Sequence, residues 1–260
     1  ALVGVLVHGR PGTTDLRSVV VRRFQELGWI EGRNLNLDVR YGMDKAQVDE
    51  QATELIRAKV DVILTFGSGP REIARGLTRS IPIVAVGGHD PVLEGWAESL
   101  ARPGGNVTGM TVTMPNIGHK ALEVLQAAVP NLTRVGVLMT NPEAESDIRR
   151  AVTALGMQMV PVHASGSSEV LGSIALAKAQ RSQAMLAMPT PLIVEHRAEL
   201  AQLAIREGIP LSSLLSMLAE AGFLLSYGVN YDLLLKRAVD YMDRVLRGAA
   251  PSELAIEQPR

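Results

Sequence analysis

Short apolar runs rich in Val, Ile and Leu alternate with helix-like segments along this chain, and most of the runs end in loops of small and polar residues. Leu2–Val7 leads into His8-Gly9-Arg10-Pro11-Gly12, Val60–Thr65 into Phe66-Gly67-Ser68-Gly69-Pro70, and Ile81–Val86 into Gly87-Gly88-His89-Asp90-Pro91. Further on, Val135–Met139 leads into Thr140-Asn141-Pro142 and Ala184–Met188 into Pro189-Thr190-Pro191. Continuous apolar strands separated by helices predict parallel sheets covered on both faces. Ligands of such sheets sit just beyond the carboxyl ends of the strands, so these loops are where function is sought.

Two runs have a different period. Leu35–Tyr41 and Met157–His163 alternate apolar with polar residues, the pattern of a strand with one wet face, and are expected at sheet edges. Val107–Val112, Ile209–Ser213 and Phe223–Tyr227 complete the strands. Helices are expected over Thr14–Leu27, Lys45–Ala58, Pro70–Leu77, Asn116–Ala128, Glu143–Leu155, Ser168–Ala179, Leu192–Glu207 and Tyr231–Leu246. Leu16, Val20, Phe24 and Leu27 fall near helical spacing in the first, Gly28 stops it, and Ser168 is a candidate N-cap.

The order strand, helix, edge-like strand, helix, strand, helix, strand occurs twice. It predicts an α/β protein of two Rossmann-like lobes, each a parallel sheet flanked by helices and joined by a multi-crossing hinge near Val112–Pro115, Tyr227–Tyr231 and Gly248–Pro251. The expected division is 1–112 plus 228–249 for the N-terminal lobe and 113–227 plus 250–260 for the C-terminal lobe.

Composition narrows the chemistry. A length of 260 residues suits two cores better than one, and 47% hydrophobic with 20% charged residues is an ordinary globular balance. A net charge of −1 gives no nucleic-acid footprint. Without cysteine there is no disulfide, thiolate metal site or thiol nucleophile. No apolar run is long enough to span a bilayer as a helix.

Tests for enzyme chemistry come back empty. Gly67-Ser68-Gly69-Pro70-Arg71-Glu72 begins like a dinucleotide fingerprint but ends on Glu72 where Gly or Ala is needed. There is no phosphate-binding GxxxxGK[ST] loop, GxSxG elbow or HExxH helix. His8 and His89 have no third partner for a metal, while His163 and His196 read as surface residues. Asp90 either caps a turn or helix, or binds a ligand. No catalytic set, metal site or cofactor is expected; the strand-end loops, with Ser, Thr, Asn, Asp, Arg and backbone amides, are the equipment of a binding cleft.

Several stretches together carry a family likeness. Phe24–Asn34 follows F-x-x-x-L-G-[YW]-x-E-G-x-N; Val60-Asp61-Val62-Ile63 precedes Gly67-Ser68; Ile81-Pro82-Ile83-Val84 precedes Asp90-Pro91-Val92. Ser99–Gly109 reads Ser-Leu-Ala-Arg-Pro-Gly-Gly-Asn-Val-Thr-Gly, followed much later by Ser226-Tyr227-Gly228 and Glu257-Gln258-Pro259. In these motifs the chain resembles the substrate-binding proteins of ABC transporters, in the group of type I periplasmic-binding fold whose members include tryptophan- and other aromatic amino acid-binding proteins. The resemblance implies a monomeric extracytoplasmic solute receptor of an ABC importer. Such a receptor is exported, periplasmic or extracellular and membrane-associated, closes by its hinge on a small carboxylate-bearing molecule in the interlobe cleft, and docks on a membrane permease.

Carried over by position, the ligand set is Arg10, Phe66, Gly67, Ser68, Gly69, His89, Asp90, Asn141, Thr190, Ser212 and Tyr227. The resemblance gives Ser68 and Gly69 an acidic group of the ligand and Asp90 an ammonium or hydroxyl. Phe66 is an apolar wall or core, and Tyr227 ligand contact or core packing. Asn141 either bridges the ligand or caps the helix starting at Pro142. The chain departs from the common pattern at Arg10, which adds a cationic clamp, and at Ser68-Gly69-Pro70. An effector-sensing domain of a regulator and a Rossmann-like enzyme are the competing readings.

Overall fold

The protein is described by a computed structural model over residues 1–11, 15–88, 90–112, 116–140 and 145–258. It divides into two compact units, Ala1–Met114 with Tyr231–Arg260, and Pro115–Asn230.

Unit 1 holds a parallel sheet of β1 (Leu2–His8), β2 (Asn36–Gly42), β3 (Val62–Phe66), β4 (Ile83–Val86) and β5 (Val107–Met110), in the order β2-β1-β3-β4-β5. The alternating segment β2 is at the edge, where Leu37 to Tyr41 are all half-buried. Val3, Val5, Ile63, Leu64 and Val84, on the three central strands, are fully buried, because helices cover both faces of a parallel sheet. The helices are α1 (Leu16–Glu26), α2 (Lys45–Arg57) and α3 (Ser68–Leu77), with α10 (Tyr231–Leu246) returning from the far end of the chain. Leu16, Val20 and Phe24 of α1 are spaced to face one way and are buried. Across separations of 217 and 214 residues, Arg23 Nε donates to Asp240 at 2.7 Å and Trp29 Nε1 to Asp243 at 2.7 Å, tying α1 and its C-terminal turn to α10.

The last residues correct one expectation. The segment 250–260, assigned above to the second lobe, belongs with unit 1. Glu257 pairs with Met110 in a parallel bridge beyond β5, Thr108 Oγ1 donates to the Leu254 carbonyl at 2.7 Å, and Tyr241 on α10 donates to the Ala255 carbonyl at 2.6 Å. Leu254 and Ile256 are 2% and 5% exposed. Two apolar residues at strand spacing are enough to seal the open edge of β5 but too few to mark the tail as structured in the sequence.

Unit 2 holds β6 (Arg134–Met139), β7 (Gln158–His163), β8 (Ala184–Ala187), β9 (Leu211–Leu215) and β10 (Leu225–Val229), parallel, in the order β10-β9-β8-β6-β7. The alternating β7 again takes an edge. Around the sheet lie α4 (Ile117–Ala128), α5 (Glu145–Ala154), α6 (Ser167–Ala179), α7 (Pro191–Glu195), α8 (Arg197–Glu207) and α9 (Ser216–Glu220).

Three details differ from the sequence expectation. The helix expected over Leu192–Glu207 is broken at His196, which leaves the helical basin at φ −94°, ψ 15°, and Arg197 Nη1 donates to the Val194 carbonyl at 2.8 Å across the break. Ser168 does not cap α6; Gly166 does, and the Glu169 carboxylate accepts from Ser165 N, one residue before the cap, at 2.7 Å. The strand expected over Ile209–Ser213 is shifted to β9, and the short α9 that follows it was not foreseen.

Candidate functional site

In unit 1 the strand ends are level. Val7 is opposite Phe66, Phe66 opposite Val86, and Val86 opposite Met110. Just past this row Gly67 N donates to the Val86 carbonyl and Gly87 N to the Met110 carbonyl, both at 2.9 Å, after which the chains turn away. The sheet therefore delivers Arg10, Gly67-Ser68 and Gly87-Gly88 to one edge.

Gly67, at φ 93°, caps α3 without a side chain, so the helix opens at Ser68 with its first-turn amides directed out of the sheet edge. Unpaired amides and the helix dipole favour an anion there. Phe66 closes β3, and its ring lies 5.0 Å from that of Tyr231 at the start of α10, tilted by 47°. The Tyr231 hydroxyl is 3.7 Å from the point where a side chain on Gly87 would begin. Burial pushes the Tyr231 phenol up to about 12.

Beneath this edge lies Arg71, whose side chain is fully buried. Its Nε and Nη2 donate to Glu72 Oε1 at 3.2 and 3.1 Å, and Nη2 also donates to Glu94 Oε2 at 2.7 Å. Its guanidinium carbon is 4.8 Å from the centre of the Trp96 ring, and Trp96 Nε1 donates to the same Glu94 oxygen at 3.1 Å. Among the described residues, Arg71 Nη1 is buried with no hydrogen-bond partner. Gly88, at φ 94°, lies over it: a β-carbon there would fall 2.3 Å from Nη1 and 3.0 Å from Ser68 Oγ.

Asp90, Arg10 and Gly69 stay at this edge of unit 1, whereas Thr190, Ser212 and Tyr227 belong to unit 2. Asp90 Oδ1 accepts from Val92 N at 2.9 Å and Leu93 N at 3.2 Å, so its carboxylate caps the turn after Gly88. Arg10 is exposed beyond β1. Gly69, second in α3, is exposed. In unit 2, Thr190 follows β8 and its hydroxyl caps α7 by accepting from Ile193 N at 3.4 Å. Ser212 does not face a ligand: it is fully buried and its hydroxyl donates to the Met185 carbonyl of the neighbouring strand at 3.2 Å. A small polar residue in mid-strand of a two-sided sheet must find a partner inside, and the β8 backbone supplies it. Tyr227, on β10, packs against the unit 2 core around Leu214. His89 and Asn141 lie outside the described residues.

Arg71, Glu94, Trp96 and Tyr231 were missed by the sequence reading. A signal existed for Arg71: it shares the buried face of α3 with Pro70 and Ala74, and a charged residue on an apolar helical stripe is unusual unless paired.

Alkaline titration checks the tyrosines. Tyr241 is likewise pushed up to about 12, by burial first and then by Glu257. Both folded values lie above the ordinary 10, so their contribution to stability is complete below pH 10 and is lost as pH rises through 12. Absorbance at the phenolate band should show two of the four tyrosines ionising only near pH 12, together with a fall in unfolding free energy from pH 10 upward.

A sequence model of the family described as ABC transporter substrate binding protein matches residues 3–259. The chain belongs to that family. This substrate-binding protein is therefore a binder and not an enzyme, and its family works outside the cytoplasm. It is 25% identical over 255 residues to the tyrosine-binding protein of Clostridioides difficile (strain R20291), covering 95% of this chain and 72% of that one. Among solved structures it resembles a conserved domain protein from Vibrio cholerae O1 biovar El Tor str. N16961, with 22% identity, a TM-score of 0.87 and coverage of 100% of this chain and 89% of that one. The ABC domain from Streptococcus pneumonia in complex with L-Trp gives 18% identity, a TM-score of 0.85 and the same coverages. These structural likenesses show the type I periplasmic-binding fold. Among the described residues no helix is long and apolar enough to cross a membrane, and no group of three His, Cys, Asp or Glu is placed to hold a metal ion.

Proposed function

We propose that this substrate-binding protein captures a small carboxylate-bearing molecule, an amino acid or aromatic acid, outside the cytoplasm and presents it to an ABC permease for import. The observation that carries this reading is the pairing, at one sheet edge, of an anion-favouring helix start at Gly67-Ser68 with the Phe66–Tyr231 ring pair. The first suits a carboxylate and the second an apolar or aromatic side chain. Asp90, held at the same edge by its turn, is the partner for an ammonium group. The tyrosine-binding relative and the L-Trp complex support an amino-acid ligand. Binding that favours one conformer over another then signals occupancy to the permease.

Calorimetric titration with amino acids, aromatic acids and neutral sugars tests this. A carboxylate should bind saturably, and Ser68→Ala should weaken it about tenfold, the loss of one hydrogen bond to a charged group. Saturable binding confined to neutral sugars or polyols overturns the reading.

A further inference from the structure

We propose that Arg71 is the specificity-determining residue of this site, donating from Nη1 to the ligand carboxylate alongside Ser68 and so selecting the acid over its neutral amide. The inference rests on the carboxylate reading above and adds to it the group that enforces the choice.

The guanidinium has its orientation fixed and part of its donor capacity spent. Glu72 and Glu94 take Nε and Nη2, and the Trp96 face supports the plane. Among the described residues, Nη1 is left buried with no partner. A buried donor of a charged group that has given up water without gaining an acceptor is costly, and an explanation is required wherever a protein keeps one. Neither Glu72 nor Glu94 meets Nη1, and the direction it takes is set: it lies 2.3 Å from the point where a Gly88 β-carbon would stand, with Ser68 Oγ 3.0 Å from the same point. Two donor-capable groups thus converge under one residue at the opening of α3, whose first-turn amides are donors as well.

Gly88 is the cover. It is at φ 94°, and its carbonyl accepts a long bond of 3.4 Å from Thr111 Oγ1. A shift of this single peptide brings a ligand oxygen within reach of Nη1. The chemistry of the acceptor follows from the donors. Guanidinium and helix amides only donate, so the complementary group offers acceptors on both sides. A carboxylate does so; a primary amide offers one acceptor and places its own N–H groups against donors. Because Glu94 and Glu72, the latter shared with Arg75, offset the charge of Arg71, the selection works through directed, charge-assisted hydrogen bonds and not through a long-range field.

The experiment compares binding of the best carboxylate found in the calorimetric screen with binding of its primary amide, for the wild type, Arg71→Gln and Arg71→Lys, at low and high salt. The wild type should prefer the acid by at least about tenfold, with little change in this ratio between the two salt concentrations. In both variants the ratio should collapse toward one while affinity for the amide holds. A merely structural role for Arg71 predicts instead that acid and amide weaken together and the ratio persists, which overturns the proposal. Should the variants fail to fold, a crystal structure of the wild-type complex decides: a ligand carboxylate within hydrogen-bonding distance of Arg71 Nη1 supports it, and one held elsewhere overturns it. Failure of every carboxylate to bind the wild type would instead overturn the functional reading on which it rests.

Discussion

Gly109→Ala is expected to cost unit 1 about 3–5 kcal/mol, combining backbone strain with overpacking against a neighbour that cannot yield. Gly109 lies on β5 opposite Ala85 of β4, at φ 140°. A β-carbon there would fall 2.0 Å from the Ala85 carbonyl oxygen and 2.6 Å from its amide nitrogen. Those are backbone atoms of a central strand, so relief requires the two strands to part. The consequences spread outward, because the Gly109 carbonyl also accepts from Glu257 N at 3.0 Å and so anchors the tail that seals β5. Against a typical domain stability of about 5–15 kcal/mol this is a large fraction. Urea unfolding should show a sharply lower midpoint, or the protein should become insoluble; a midpoint equal to wild type would show that β5 does not need its glycine.

Gly88→Ala is expected to lower ligand affinity more than tenfold and to destabilise the fold by about 1–3 kcal/mol, the usual cost of a side chain forced into a glycine-only region. The new methyl would meet Arg71 Nη1 at 2.3 Å. A long side chain in solvent would swing clear. Arg71 is held by Glu94 and stacked on Trp96, so either the arginine leaves its partners or the Gly88 turn is displaced from Ser68. Both outcomes spoil the edge proposed to hold the ligand. Calorimetry at a temperature where the variant is fully folded separates the affinity loss from the stability loss; unchanged affinity in folded protein would mean that the ligand does not use this turn.

The sheets were legible because burial leaves a period in the sequence. Leu35–Tyr41 and Met157–His163 alternate in sequence and both are edge strands, β2 and β7, though burial follows the alternation only in β7. Val60–Thr65 and Ala184–Met188 are apolar without alternation since both faces are covered. What escaped depends on partners distant in the chain. The tail residues Leu254 and Ile256 become core only because β5 ends unit 1 with an open edge. Ser212, at the end of its expected strand, reads as a ligand-facing serine until the Met185 carbonyl beside it is known. Arg71 is paired with Glu94, and Phe66 meets a tyrosine 165 residues later, relationships that no local spacing encodes. The strand-end loops thus came from pattern, while the groups that shape the site came from tertiary placement.

The return of α10 to unit 1 orders the assembly of the molecule in time. Unit 2 is one uninterrupted stretch, 115–230, whereas unit 1 is split around it. During synthesis from the N-terminus, the second unit has its full sequence while the first still lacks α10, with Asp240 for Arg23, Asp243 for Trp29 and the strip that closes β5. Domains fold as their chain becomes complete, so the earlier-born half finishes last. Tyr231, the aromatic partner of Phe66, arrives with that helix, and a nascent chain halted at Asn230 would carry one finished unit and a proposed binding edge without its second ring.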